Sequence, residues 1–279
     1  IKPGYLSTFV LHKRKAFAFM VDATNQPIGA AARFGKGRVA VLPHDSMIGG
    51  GALKATDGRP QLARNIISWL SKASGKAKPV VGTLSKYSAL QTFLKAEGWA
   101  VKSVGAAKLS GIDVYVTSAQ DKHTPAQSQA IVDFVKAGGG LLTAGQAWWW
   151  ASQNGNSKVP LVYPANTWLN PMGITYTWYN TAPDKVELGL KAPHPWTNAW
   201  VALQVATLHM RKLAKLSLAQ RVLAAGPASV ALRVLPLAFT AFYTDAATFK
   251  KHHGPVVPSA SKPLVRAKVP LAELVVALD

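Results

Sequence analysis

The chain has 279 residues, 49% of them hydrophobic, and a formal charge of +20 from 32 Lys and Arg against 12 Asp and Glu. That length suits one large domain or two small ones, and the charge draws the chain towards polyanions and acidic partners. It contains no cysteine, which excludes disulfides, thiolate catalysis and Cys-ligated metals. No uncharged run of the ~18 residues a spanning helix needs is uniformly apolar, the long ones being interrupted by Gly, Pro, Asn and Gln. The stretch 222–243 is the most apolar, but Gly226, Pro227, Arg233 and Pro236 interrupt it, so it reads as buried helix and loop. The first residue is Ile1, so removal of an upstream segment is expected, and a secreted or cell-surface location with it.

In chain order, 15–22 and 28–34 read as strands, and Gly35-Lys36-Gly37 turns into a third strand, 38–42. Pro43-His44-Asp45 and a Gly-rich loop at 49–51 follow. Leu62, Ile66, Ile67 and Leu70 recur at helical spacing over 61–71. The small polar stretch 71–78 is a linker candidate. Strands are expected at 79–84, 99–104, 112–117 and 141–144. Between them lie a helix capped by Ser85 and ended by Gly98, and one that starts at Thr124-Pro125 and stops at 138–140. Alternation of this kind predicts a parallel sheet with right-handed crossovers. Residues 197–233 read as helical with a break at Gly226-Pro227, and the tail from His252 as extended. The expected organisation is a strand-rich part with a helix (1–75), an α/β core (79–183) and a helical and extended part (184–279). One domain over 1–183 is the alternative.

Loops after parallel strands gather at their carboxyl ends, where such sheets bind ligands. Candidate binding residues there are His44, Asp45, Ser85, Tyr87, Ser118, His123 and Gln146; the competing reading has His44 and Asp45 only capping the next loop. Residues 140–183 have Lys158 as their one charged side chain, but are rich in Trp, Tyr, Asn and Gln. Aromatic faces and amides suit sugars, making Trp149, Trp150, Asn154, Trp168 and Tyr179 glycan candidates. The competing reading is packing, since Trp is mostly buried. Three successive Trp (148–150) on a helix cannot all face inward. Nucleotide binding is disfavoured, because Gly35-x-Gly37 precedes a strand and 49–51 lacks the P-loop Lys. His252-His253 lacks metal-ligand spacing, and the dispersed basic residues form no nucleic-acid module. No cofactor or metal is expected, and no specific nucleic acid.

IVDFVKAGGGLLTAGQAWWWASQNGN (131–156) resembles the class I glutamine-amidotransferase-like, flavodoxin-related fold, with a helical carboxyl-terminal extension expected beyond it. Its core is also similar to the TCAF (channel-associated factor) family, related to M60-like peptidases. So are AARFGKGRVAVLPHD (31–45), ARNIISWL (63–70) and SVALRVLPL (229–237). The resemblance implies a partner such as an ion channel or a mucin-like glycoprotein. It also implies that this chain is the non-peptidase portion, since no H-E-x-x-H occurs. In amidotransferases a Cys occupies the elbow after the strand, with a distant His and an acid. The matching positions here are Ala144-Gly145-Gln146-Ala147-Trp148, none a nucleophile. The expected function is therefore a non-catalytic protein that binds an acidic glycan, a glycoprotein or a membrane protein. The alternatives are a carrier of a small ligand or pigment, and a cryptic serine hydrolase built on Ser85, Ser118 or Ser152 with His44 or His123.

Overall fold

The computed structural model describes residues 4–105, 108–182 and 193–242, with side chains to 234. In chain order the strands and helices are β1 (Leu6–Leu11), β2 (Ala16–Val21), β3 (Pro27–Phe34), β4 (Gly37–Leu42), α1 (Gly50–Leu53), α2 (Arg59–Ser71), β5 (Val80–Thr83), α3 (Ser88–Ala96), β6 (Ala100–Ser103), β7 (Val114–Ser118), α4 (Pro125–Ala137), β8 (Gly140–Ala144), α5 (Ala147–Asn154), α6 (Val159–Val162), α7 (Asn166–Leu169), β9 (Ile174–Thr181), α8 (Ala199–Met210) and α9 (Leu218–Phe242).

A mostly parallel seven-stranded sheet runs β2-β3-β4-β8-β7-β5-β6. β4, β8, β7, β5 and β6 are parallel, and β2 and β3 add an antiparallel edge. The expected α/β class with a mostly parallel sheet is borne out.

Strand side chains alternate between two cores, as period-2 geometry requires. Ala40 and Leu42 of β4, Val114 and Val116 of β7, and Leu142 of β8 pack against α2 and α3 through Ile67, Leu70, Leu90 and Leu94. Val39, Val41, Tyr115 and Leu141 face the other way, towards Ile131 and Val135 of α4 and the aromatic layer of Tyr163, Trp168 and Tyr176. Thr124 starts α4 as predicted, and it does so within a full capping box: Thr124 accepts from the Gln127 N–H, and Gln127 returns a bond to the Thr124 N–H.

Three local expectations are corrected. Ser85 does not cap α3; it opens a 3-10 turn (Ser85–Tyr87), and the helix begins at Ser88. Gly50 and Gly51 lie inside the short helix α1 rather than in a loop. Helix α9 also runs unbroken through Gly226-Pro227. Gly226 lets it approach the Thr24 backbone, whose carbonyl oxygen would stand 2.7 Å from an added Cβ. The predicted extended tail from His252 lies outside the described residues.

An unpredicted two-stranded ribbon, β1 paired antiparallel with β9, lies over the sheet. Two bonds fasten it to the end of β4: the Ser7 N–H donates to the Pro43 carbonyl at 3.2 Å, and the Tyr176 hydroxyl to the Leu42 carbonyl at 2.8 Å.

Candidate functional site

The loops that follow β4, β5, β7 and β8 meet at the carboxyl ends of the parallel strands. Two gaps between them carry the candidate residues, and each is bridged by side chains.

The first gap lies between β4 and β8. His44 caps the 3-10 turn Asp45–Ile48, its Nδ1 accepting from the Ser46 N–H at 2.9 Å. With Nδ1 accepting, Nε2 carries the proton in the neutral ring. Nε2 hydrogen-bonds the side-chain amide of Gln146, whose oxygen and nitrogen exchange by a simple flip. When the ring is protonated, Nδ1 becomes a donor, and Asp45 Oδ1 stands 3.0 Å away to receive it. That hydrogen bond holds the Asp45 carboxyl below the ordinary carboxylate range, against partial burial. His44 thus caps the turn, as the competing reading has it, and the same ring faces Gln146.

The second gap lies between β5 and β7. Lys86 Nζ and Asp121 Oδ1 meet across it at 2.6 Å. Tyr87 is buried, and its hydroxyl faces Ser118; burial pushes its pKa well above the usual tyrosine range. Ser118 Oγ accepts from the Gln120 N–H at 3.2 Å. Ser85 is exposed and makes no part of the bridge. Both ring nitrogens of His123 are buried without a hydrogen-bond partner among the described residues, and burial lowers its pKa. Asp45 also acts on the Tyr87 and Tyr163 hydroxyls, so the two gaps belong to one electrostatic neighbourhood.

The elbow itself is relaxed. Gln146 has φ −115°, outside the left-handed region, and N-caps α5 without a side-chain capping bond. Gly145 has no room for a side chain: an added Cβ would stand 2.7 Å from both Ala119 Cβ and the Tyr163 hydroxyl. The Ala147 N–H follows the elbow position and is taken by Ser7 Oγ from β1 at 2.9 Å. Among the described residues no serine hydroxyl hydrogen-bonds a histidine ring nitrogen.

The tryptophans divide. Trp149 is 44% exposed. Trp150 turns inward, edge-on to Tyr163 at 5.6 Å between centroids. Trp148 packs against Tyr5 at 5.7 Å. Asn154 uses its Nδ2 to cap the Trp150 carbonyl at 2.9 Å. Trp168 is completely buried, which removes it as a sugar contact. Tyr179 accepts from Arg233 at 3.2 Å. The amides Asn166 and Asn170 are buried as well, and clamp backbone; Asn166 bonds the Val159 and Tyr176 carbonyls and the Tyr176 N–H.

Sequence reasoning missed Ser7 and Tyr163. The only signal for Ser7 is a hydroxyl pair, Ser7-Thr8, in an otherwise apolar run, LSTFVL. Tyr163 has a buried hydroxyl without a partner among the described residues, its pKa raised by burial, beside the elbow. Its sequence context offers no such hint. At the opposite end of the sheet, an open cleft of ≈ 440 Å³ is lined by Lys72, Lys76, Lys78 and Trp99. Lys76 is paired there with the buried Asp113 at 2.7 Å.

Fold and site together define an α/β protein whose strand-to-helix elbow carries an amide, Gln146, bonded to His44. A family model described as "TRPM8, N-terminal domain" (TCAF_N) matches residues 1–188. The chain therefore belongs to the TCAF amino-terminal domain family, as the motifs at 31–45, 63–70 and 131–156 led us to expect. TRPM8 channel-associated factor 2 of Bos taurus is 34% identical over 173 residues, which cover 62% of this chain and 17% of that protein. The Homo sapiens factor of the same name is 32% identical over 187 residues, 67% of this chain and 19% of that protein. The chain thus spans less than a fifth of the length of these relatives. Among solved structures, IMPa from Pseudomonas aeruginosa in complex with an O-glycopeptide shows a distant likeness: TM-score 0.49, 14% identity, 90% of this chain and 34% of that one.

Proposed function

We propose that this chain is a non-catalytic binding module on a degenerate amidotransferase-like scaffold, and that its strand-end rim docks a membrane-protein partner of the ion-channel class. The flavodoxin-like part of this reading is supported by strand order. Counted from β5, the strands β6-β5-β7-β8 stand in the order 2-1-3-4, and β4 fills the fifth place of the flavodoxin order 2-1-3-4-5.

One observation carries the loss of catalysis. An acyl-transfer elbow needs a free nucleophile and a free amide N–H just after it to receive the oxyanion. The nucleophile position of the resemblance falls at Gln146-Ala147; the Gln146 side chain is tied to His44, and the Ala147 N–H is tied to Ser7. Both functional groups of an elbow are consumed by structure.

Recognition is the use left to such a rim. The gap between β5 and β7, where the strand order reverses and a small ligand would enter, is crossed by the Lys86–Asp121 pair. That favours a partner laid across the rim over a carrier's buried ligand. The relatives' name, channel-associated factor, supports a channel as the partner. Trp149, exposed one turn beyond the elbow, extends the same surface and supplies an aromatic anchor of the kind that dominates interfaces. Glycan binding is the second reading, and that same exposed ring favours it.

The test is a binding assay with a TRPM8-type channel in nanodiscs, run beside a fluorophosphonate probe for activated serines and a glycan array. Saturable binding that weakens in the Trp149→Ala chain, with no serine labelling, is the expected result. Labelling that disappears on replacing Ser118 would overturn the non-catalytic reading. Array binding that is lost with Trp149, without channel binding, would move the partner to a glycan.

A further inference from the structure

Helices α8 and α9 form an antiparallel hairpin. Its seam is made of small residues, Ala202 and Ala206 against Ala224 and Ala228, which lets the two backbones lie close. Its base is held to β1 by Ala199, Ala231 and Val234 packing on Val10. The far end, 211–218, reads RKLAKLSL.

That tip is unusual in three ways. It is basic without compensation: Arg211, Lys212 and Lys215 are exposed, and 193–234 contains no Asp or Glu. It is also apolar where it meets solvent, with Leu213 69%, Leu218 67% and Val222 58% exposed.

The turn is also built at a cost. The Lys212 N–H bonds the His209 carbonyl at 2.9 Å, and the Leu213 N–H bonds the Leu208 carbonyl at 3.0 Å, a Schellman end to α8. The left-handed residue of that motif is usually Gly, yet Lys212 occupies it at φ +58°. The residue after it ordinarily folds back onto the helix, yet Leu213 is the most exposed of the three apolar side chains.

Exposed leucines beside cations, on a hairpin whose own sequence carries no acid, match the interface of an anionic bilayer. The cations meet lipid phosphates and carboxylates, and the leucines enter the headgroup boundary. Among the described residues no helix is long and apolar enough to cross a membrane. The hairpin would therefore lie on the surface and not span it. From this juxtaposition we infer that the α8–α9 tip is a docking site for anionic lipid membranes. The inference is independent of the rim's partner.

The test is sedimentation of the full chain with vesicles of phosphatidylcholine, alone or mixed with phosphatidylserine. Binding should need phosphatidylserine and fall as salt rises. Replacing Arg211, Lys212 and Lys215 together with Gln should weaken it about a hundredfold, at roughly fivefold per cation. The pair Leu213→Ser and Leu218→Ser should weaken it at unchanged charge. Lys72→Gln with Lys78→Gln, in the distant cleft, should leave it within about twofold. Circular dichroism of each variant keeps loss of the hairpin distinct from loss of binding, since every replaced side chain is exposed. Three outcomes would overturn the site: no binding, equal binding to both vesicles, or tip variants that bind as the parent does. The last would assign binding to the chain's dispersed charge or to another surface.

Discussion

The side-chain amide of Asn25 donates to the carbonyl of Leu223 at 3.0 Å. That carbonyl lies four residues before Pro227, which has no N–H to give it. Asn25, held in the left-handed region at φ +64°, thus supplies the donor the proline removes, and α9 continues instead of breaking. Asn25→Gly keeps the turn and deletes the bond, so it should cost about 1–2 kcal/mol. Asn25→Ala should cost roughly 1 kcal/mol more, for the left-handed backbone. Urea unfolding midpoints check both, and equal stability of the three chains would mean that water replaces the amide.

At the elbow, backbone packing and side-chain bonding should carry different weights in stability. Gly145→Ala forces a methyl against Ala119 and Tyr163 and should destabilise by about 1–3 kcal/mol. Gln146→Ala removes a half-buried amide and should cost under about 1 kcal/mol. Thermal melts of the two variants should rank them in that order.

The tryptophans should behave oppositely as well. Trp168→Ala, at a fully buried position, should cost about 3–5 kcal/mol. Trp149→Ala should stay within roughly 0.5 kcal/mol of the parent. Comparable losses at both positions would show that Trp149 packs as tightly as Trp168.

Lys13 gives a pH signature. Burial lowers its pKa from 10.5 to about 8 while its Nζ donates to the Pro171 carbonyl. A depressed lysine binds more protons in the unfolded chain between those two values, so stability should rise with pH over that interval. The gain should reach at most about 3 kcal/mol. Buried Tyr115, Tyr163 and Tyr176 have raised pKa values, and oppose the trend as unfolded tyrosines ionise near pH 10. Stability minus that of a Lys13→Met chain isolates the lysine. The difference should climb from pH 8 and flatten above pH 10.5, and a flat difference throughout would mean that Lys13 keeps its ordinary pKa.

Much of the sheet was legible because each central strand is a short apolar run punctuated by Gly or Pro. The gathering of His44, Ser118 and Gln146 at one rim followed from parallel topology alone. The ribbon was not legible. β1 and β9 lie far apart in sequence, and their pairing depends on long-range burial of Phe9 and Tyr176. The amide-rich stretch misled because Asn166 and Asn170 look the same in sequence whether they face a sugar or clamp buried backbone. Gly226-Pro227 reads as a break because the compensating donor sits on a distant turn. The bond from the Ala147 N–H to Ser7 spans 140 residues, and no local pattern announces it.

The central claim is that the elbow is rebuilt for recognition, with Gln146 and His44 as its fixed surface. The most direct test is the affinity of a nanodisc-embedded TRPM8-type channel for the parent chain and for the Gln146→Ala, His44→Ala chain. We predict saturable binding by the parent and at least a tenfold loss in the variant, about 1.4 kcal/mol, with its melting behaviour little changed. Equal affinities, or no binding by the parent, would contradict the account.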